Sequence, residues 1–226
     1  MTLRDSLKLA GRAARTNLRP GLVLWALLVV FLAAWELSAG FRAALQAVAD
    51  LKARSGYPFG FVSYALSAAL LPELLRVVFF QHWRVTARNA HNLWFGALVW
   101  GLHGVSSDWF YRLQAQWFGA GGDWLTLAEK VAADQFGYSF VENGWILVVF
   151  AWRDAGFARR AWRDIGSVNF LLERYVPLMV AVWCVWIPGT AVVYFMPTAL
   201  QLPVAALLTC FWALIFTCMS RNVEST

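Results

Sequence analysis

The stretch YVPLMVAVWCVWIPGTAVVYFMPTALQLPVAALLTCFWALIFTCM, residues 175–219, contains no Asp, Glu, Lys or Arg. A helix needs about 20 predominantly apolar residues to cross the roughly 30 Å hydrocarbon core of a bilayer. Because Pro197 divides the stretch, it predicts two crossings, at residues 175–196 and 200–219. The chain is therefore expected to be a polytopic bundle of transmembrane helices.

The composition of the whole chain agrees with this interpretation. Of its 226 residues, 60% are hydrophobic and 14% are charged, whereas soluble domains average about 45–50% apolar and about 25% charged residues. The same length rule predicts four further crossings, at residues 22–41, 59–80, 92–117 and 134–152. The connecting segments are then expected at residues 42–58, 81–91, 118–133 and 153–174. We expect an all-α protein with about six spans in a single transmembrane domain, residues 21–226.

Residues 1–20 have the pattern of a basic amphipathic helix. Basic side chains recur every three or four positions, at Arg4, Lys8, Arg12, Arg15 and Arg19. A second stripe with the same spacing is apolar and mostly leucine. A helix of this kind lies in the headgroup layer of an anionic leaflet with its apolar face down, so anionic lipid headgroups are the expected partner. The chain is then expected to turn into the bilayer at Pro20-Gly21; a solvated cytoplasmic tail is the alternative.

The formal net charge of +6 is best interpreted as a topology signal. With the N-terminus in the cytoplasm, counting Lys and Arg on alternate sides gives thirteen inside and five outside, with Arg76 inside a span. This bias follows the positive-inside rule and predicts that both termini are cytoplasmic. It also explains the basic composition without nucleic-acid binding, and no nucleic-acid partner is expected.

Ionisable side chains at membrane depth cost about 2.5–3.5 kcal/mol each on insertion scales, so they need polar partners or water. Eight polar residues are the candidates for lining an internal cavity: Glu73, Arg76, Asp108, Arg112, Asp134, Gln135, Glu142 and Asn143. The first two pairs and Asp134 also have a purely structural explanation, whereas Glu142 and Asn143 need protein or water partners. The cavity is therefore an expectation that depends on which of these side chains lie together.

The first two pairs have the spacing of ion pairs within one helix. Glu73 and Arg76 are three residues apart and follow Pro72, which tends to kink a helix. They form either a polar constriction at the kink or a structural pair near the cytoplasmic interface. Asp108 and Arg112 are four residues apart at the end of a predicted span, where an anchor at the helix end is expected.

The remaining candidates lie in the span predicted at residues 134–152. Asp134 opens this span, and N-capping explains an Asp at that position. Glu142 and Asn143 lie about two turns further in, where lipid offers no hydrogen bonds. We therefore expect the spans at 59–80 and 134–152 to present Glu73, Arg76, Glu142 and Asn143 to a common cavity.

No motif indicates catalysis, a metal site or a cofactor. The sequence contains no GxSxG, no HExxH and no Walker loop. The cysteines all lie in apolar runs and are expected to be small core or lipid-facing residues: Cys184, Cys210 and Cys218. His103 stands between glycines in GLHGV, which predicts close approach of a second helix and an interhelical hydrogen bond. Ligation of a metal or tetrapyrrole by His103 is the less favoured alternative.

From about Arg84 onward, the order of motifs resembles that of the Mpv/PMP family, small integral proteins of mitochondrial inner and peroxisomal membranes with bacterial members. Three pieces carry the resemblance: Trp109-Phe110-x-x-Leu113, Lys130 followed by Asp134-Gln135, and Pro177 with Pro188. A closing Trp212 and Ser220 also match. Gly104 and Phe140 stand where that family has prolines. The resemblance implies a location in a bacterial inner membrane.

The resemblance also implies a non-enzymatic, channel-like protein that passes small solutes or sets membrane permeability. The alternative is an accessory or scaffold subunit of a larger membrane complex, which the 14 tryptophans and the wide apolar surface favour. The expected partners are the lipid bilayer and either further copies of the chain or the other subunits of such a complex. A lone homo-oligomer on native purification favours the channel.

Overall fold

The structure is a computed structural model that describes residues 2–119 and 123–224. Within these residues it contains eight helices and no strand, which confirms the all-α prediction. The helices are α1 (Leu3–Leu37), α2 (Ala39–Ser55), α3 (Tyr57–Phe79), α4 (Ala87–Phe118), α5 (Trp124–Ala133, Asp134–Tyr138 and Ser139–Asp154, without a break), α6 (Ala161–Ile165), α7 (Val168–Phe195) and α8 (Thr198–Glu224).

Helix α1 continues through Pro20 without a break. The expected turn at Pro20-Gly21 is therefore wrong, and residues 2–20 belong to a longer helix. A proline inside a helix removes one backbone hydrogen bond and costs about 3 kcal/mol or more, so packing against other helices must offset this cost. The five basic side chains of this segment are all exposed: Arg4, Lys8, Arg12, Arg15 and Arg19. Their placement at a membrane surface stays a prediction.

Helix α1 packs parallel to α7, and this contact stabilises α1 as one continuous helix. Near the start of both helices, the Ser6 hydroxyl donates to the Leu172 carbonyl oxygen over 2.5 Å. Further along both, the Trp25 indole N–H donates to the Val185 carbonyl oxygen over 3.3 Å. Leu24, on the same stretch of α1, is completely buried in the core. Both halves of α1 are thus fixed to the same partner helix.

Helices α3 and α4 run antiparallel. Near the start of α3, Gly60 lies against Gly104 in the second half of α4. Near the end of α3, the Glu73 carboxylate accepts a hydrogen bond of 2.6 Å from Asn89 in the first turn of α4. The expectation that a second helix approaches closely at the GLHGV glycines is confirmed, and that helix is α3.

The next helices continue this alternation. The Gln114 amide near the end of α4 donates to the Lys130 carbonyl oxygen near the start of α5, so these two helices are antiparallel. Helix α8 turns back along α7, and a Cβ atom at Gly189 of α7 would lie 3.7 Å from Leu208 of α8.

Helices α5 and α7 are also antiparallel. Tyr194 near the end of α7 donates to Asp134 of α5. Tyr175 near the start of α7 donates to the carbonyl oxygen of Phe140, which lies further along α5. Therefore α1, α4 and α7 begin at one end of the bundle, where α3 and α5 finish. This end carries the arginines of the short connections and is termed the basic end.

Helix α2 occupies residues that were expected to connect two spans, 42–58. Ser38 caps it, because its hydroxyl oxygen accepts a hydrogen bond of 3.2 Å from the Phe41 backbone N–H. Leu45 and Ala49 face the core and are buried. Helix α2 is amphipathic and too charged for the length rule to select it as a span, so the expected connection between the first two spans is largely helical.

The predicted connection at 118–133 is also largely helical. Helix α5 begins at Trp124, and its N-cap is Asp123, whose carboxylate accepts from the Thr126 backbone N–H over 3.0 Å. This hydrogen bond holds the pKa of Asp123 below its usual value. Asp134 therefore lies inside a helix, and its predicted N-capping role is wrong. The segment 153–174 likewise contains α6 and the first turns of α7.

Three helices in the described part of the chain are long and apolar enough to cross a membrane, α1, α3 and α7. The apolar part of α8, Thr198–Leu214, is shorter.

Cys184 is exposed and Cys210 is half-buried, whereas the Cys218 side chain lies outside the described residues.

The contact between α3 and α4 depends on glycine. A Cβ atom at Gly60 would lie 2.6 Å from the Gly104 carbonyl oxygen, closer than side-chain carbons approach backbone oxygens. A Cβ atom at Gly101 would lie 2.5 Å from the Phe61 ring. The two backbones are thus in direct contact, as small residues permit between membrane helices.

We predict that Gly60→Ala lowers the stability of the purified protein by about 1–3 kcal/mol, because the added methyl must push two backbones apart. The control is Gly11→Ala, since a Cβ atom at Gly11 contacts nothing within 4 Å. Thermal unfolding in detergent measures both. Equal unfolding temperatures for the two variants would show that α3 and α4 are not in tight contact.

Candidate functional site

A cavity of about 400 Å³ lies inside the bundle, between α3, α4, α5, α7 and α8. It is termed the inner cavity. Its aromatic walls include Trp100 and Trp186. Its polar lining comes from several helices and includes His103, Ser107, Asp134, Gln135, Asn143 and Thr190. Both its volume and its few converging polar groups are typical of small-molecule sites.

A second cavity of about 590 Å³ lies at the basic end, between the end of α3, the start of α4 and the end of α5. It is termed the vestibule. Charged side chains line it: Glu73, Arg76, Arg88, Arg153 and Asp154, together with His91. The vestibule and the inner cavity share three wall residues, Ala68, Pro72 and Trp100. The two cavities therefore adjoin inside the bundle.

Asp134 is almost fully buried, with 4% of its surface exposed. Its carboxylate accepts hydrogen bonds from the Tyr194 hydroxyl at 2.6 Å, the Ser139 hydroxyl at 2.8 Å and the Gln135 amide at 2.9 Å. All three donors are neutral. No Lys, Arg or His of the described residues lies within ion-pair distance of Asp134, so the inner cavity contains a carboxylate without a fixed cation.

Gln135 lies next to Asp134 in a wide, π-helical turn, Asp134–Tyr138. Such turns occur frequently at functional sites. The Gln135 side-chain amide also donates to the Thr190 hydroxyl over 2.8 Å, while its side-chain oxygen Oε1 accepts no hydrogen bond from the described residues. A buried acceptor without a donor is costly, so the inner cavity suits a solute or water that donates hydrogen bonds.

Glu142 does not face lipid. It is 6% exposed and accepts from the Tyr138 hydroxyl at 2.9 Å, with further hydrogen bonds from Ser106 and Trp145. His103 Nδ1 of α4 lies 3.3 Å from the same carboxylate. The predicted interhelical hydrogen bond of His103 is therefore present, and Glu142 is part of the α4–α5 contact rather than of a cavity wall.

The expected common cavity is divided in two. Asn143 lines the inner cavity and donates to the Ser139 carbonyl oxygen over 2.8 Å. Glu73 and Arg76 line the vestibule and form an ion pair of 3.5 Å. The expectation of a single shared cavity was wrong because Pro72 and the large Trp100 side chain form part of the wall between the two spaces.

Asp108 and Arg112 form the predicted ion pair, at 2.8 Å. The sequence interpretation missed a third member, Lys52 of α2, whose ammonium lies 2.8 Å from the other Asp108 oxygen. Lys52 is nearly buried and Asp108 completely so. The sequence feature that could have indicated this pair is the position of Lys52 on the apolar face of α2, one turn after Ala49. This cluster lies away from both cavities and holds α2 against α4.

Within the described residues, no group of three or more His, Cys, Asp or Glu side chains is arranged to hold a metal ion. Comparison of the chain with models of protein families, with curated proteins and with solved structures gives no match. The two cavities are therefore the structural features that bear on the function of the chain.

Replacing Lys52 by Met is expected to destabilise the protein by about 1–3 kcal/mol, because the buried Asp108 carboxylate loses its buried partner and keeps only the half-exposed Arg112. Arg54→Met is the control, since Arg54 is exposed on the same helix. The double variant Lys52→Met with Asp108→Leu removes both charges and should recover most of the loss. Chemical denaturation in detergent measures all three; no difference between Lys52→Met and the control would contradict a structural ion pair.

Proposed function

We propose that this chain is a channel-like membrane protein that passes small polar solutes and is not an enzyme. The observation that carries the proposal is the pair of adjoining cavities. A charged vestibule opens at the basic end, and a polar inner cavity follows it inside the bundle. A route with this arrangement takes a solute from water into the middle of the bundle.

The lining of the inner cavity suits small polar solutes. Hydroxyl groups, the Asn143 amide and the Asp134 carboxylate offer hydrogen bonds to replace water lost on entry. Such replacement is needed because an unpaired polar group in an apolar medium costs several kcal/mol. Aromatic walls at Trp100 and Trp186 limit the width of the space.

The proposal includes six membrane crossings, by α1, α3, α4, α5, α7 and α8. Its support is the alternating direction of these six helices, together with the thirteen basic residues assigned to one side. The basic end is then cytoplasmic, as are the two termini. A bacterial inner membrane and membership of the Mpv/PMP family are part of the same proposal, supported by the motifs from Arg84 onward.

An accessory or scaffold subunit is the second candidate. Large aromatic side chains on the outer surface of the bundle favour this function. Four tryptophans are more than half exposed: Trp94, Trp109, Trp117 and Trp124. Such side chains suit both lipid headgroups and partner subunits. Native purification separates the two functions. A homo-oligomer supports the channel, and stoichiometric co-purification of other subunits supports the scaffold.

The sharpest test of passage uses Ala68, which lies in both cavity walls. In a variant with the three native cysteines replaced by Ala, Ala68→Cys should support entry of glycerol into proteoliposomes. Modification with a bulky methanethiosulfonate reagent after reconstitution should then reduce the entry rate by about tenfold or more. Stopped-flow light scattering measures the rate.

The matched control is Val62→Cys in the same background, because Val62 lies on the same helix and is more than half exposed. Its modification should leave the rate unchanged. Adding the reagent after folding removes any effect of the substitution on assembly. Glycerol entry no faster than in protein-free liposomes, or entry that the Ala68 modification does not slow, would reject the proposed route.

The proposed topology is tested with single cysteines at residues 160 and 198. Arg160 lies between α5 and α6, at the basic end, whereas Thr198 begins α8 at the other end. A membrane-impermeant thiol reagent applied to intact cells should therefore label Thr198→Cys and not Arg160→Cys. Labelling of both variants, or of neither before permeabilisation, would contradict six alternating crossings.

A further inference from the structure

We propose that the vestibule is a binding site for a phosphate group, either on a lipid headgroup or on a free phosphate anion. The inference does not depend on solute passage. It begins from the origin of the basic lining residues, which come from three different helices: Arg76 from α3, Arg88 from α4 and Arg153 from α5. The fold therefore brings together three guanidinium groups that are distant in sequence.

The carboxylates of the vestibule do not neutralise these arginines fully. Glu73 Oε1 accepts a hydrogen bond of 2.6 Å from Asn89, and its other oxygen lies 3.5 Å from Arg76. Asp154 pairs with Arg153 at 2.7 Å but is 62% exposed. No described carboxylate lies within ion-pair distance of Arg88. One guanidinium is thus available without breaking an existing pair.

Arg153 is held in place by its neighbours. Its guanidinium carbon lies 5.1 Å from the centre of the Phe95 ring and 4.7 Å from that of Phe150. Asp154 accepts from Nε and Nη2 of Arg153, which leaves Nη1 available as a donor. Stacking and pairing restrict the rotamers of this long side chain, so less conformational entropy is lost when it binds an anion.

The backbone adds to the positive potential. Helix α4 begins at Ala87, and Thr86 and Asn89 form its capping box. His91 and Asn92, in the first two turns of this 32-residue helix, also line the vestibule. The positive end of the α4 dipole therefore lies at the cavity that contains the three arginines.

Phosphate is the anion that fits this arrangement. A phosphate group has more acceptor oxygens than a carboxylate, which has two, so phosphate can accept hydrogen bonds from more guanidinium groups. Arginine is preferred for bidentate contacts with phosphate, and basic pockets between membrane helices on the cytoplasmic side bind anionic headgroups. Phosphatidylglycerol and inorganic phosphate are the probes that distinguish the two sources.

The test compares the full-length protein with a double variant, Arg76→Gln with Arg88→Gln. The control is Arg84→Gln with Arg159→Gln, which removes the same charge from exposed arginines outside the vestibule lining. In one arm, protein released from bilayers of equal phosphatidylglycerol and phosphatidylcholine is examined for retained lipid by native mass spectrometry. In the other, delipidated protein in a neutral detergent is titrated with inorganic phosphate by calorimetry.

The wild type and the control should bind in at least one arm, and the double variant should bind about tenfold or more weakly. Preferential retention of phosphatidylglycerol identifies a lipid headgroup; saturable binding of inorganic phosphate without lipid preference identifies a free anion. A third variant, Glu73→Gln, keeps the Asn89 hydrogen bond and removes a negative charge, so it should bind more tightly. Equal behaviour of the double variant and the control, or no binding by the wild type in either arm, would overturn the proposal.

Discussion

The contact between α4 and α5 depends on satisfying the hydrogen bonds of a buried carboxylate, that of Glu142. Glu142 receives hydrogen bonds from its own helix and from Ser106 of α4, and it lies 3.3 Å from His103. A buried carboxylate without such partners would cost several kcal/mol. Glu142 therefore helps to fix the register of α4 against α5, together with the Gln114 hydrogen bond to the Lys130 carbonyl oxygen. That register also determines where Asp134 and Asn143 lie, and with them the inner cavity.

On the other face of α4, close backbone packing at glycines fixes the position of this helix against α3. Because Gly60 and Gly104 place two backbones in contact, α3 lies close enough for Glu73 to reach Asn89 and for Ala68 to line both cavities. Polar pairing on one face and close packing on the other thus position α4 between α3 and α5. Both cavities are bounded by these three helices, so the candidate site follows from the packing of α4.

Hydropathy predicted the apolar helices well and the amphipathic ones poorly. The spans expected at 59–80 and 175–196 agree with helices Tyr57–Phe79 and Val168–Phe195 to within a few residues, apart from the earlier start of the latter. These helices have long uncharged faces, which a window average detects. Helix α2 has a charged outer face and a short buried stripe around Leu45, so its average resembles that of a loop.

The polar contacts also divide into those that the sequence predicted and those that it did not. Pairs within one helix were predictable because a spacing of three or four residues fixes their proximity, as at Asp108 and Arg112. Contacts between helices were not, since Lys52 is 56 residues before Asp108 in the sequence and only the fold brings them together. The misplaced N-cap at Asp134 has the opposite cause. A local capping rule was applied where the helix had already begun at Trp124.

The central claim is that water enters the inner cavity in the middle of the bundle. Nitroxide labels at Asn143 and at Val141 test it directly, because Asn143 lines the cavity whereas Val141 on the same helix is 68% exposed on the outer surface. Power-saturation EPR in liposomes compares collisions with a water-soluble nickel chelate and with oxygen. We expect the chelate to reach the label at residue 143 far more readily than the label at residue 141. A label at residue 143 that is reached by oxygen but not by the chelate would show that the interior of the bundle is dry and would rule out a water-filled cavity.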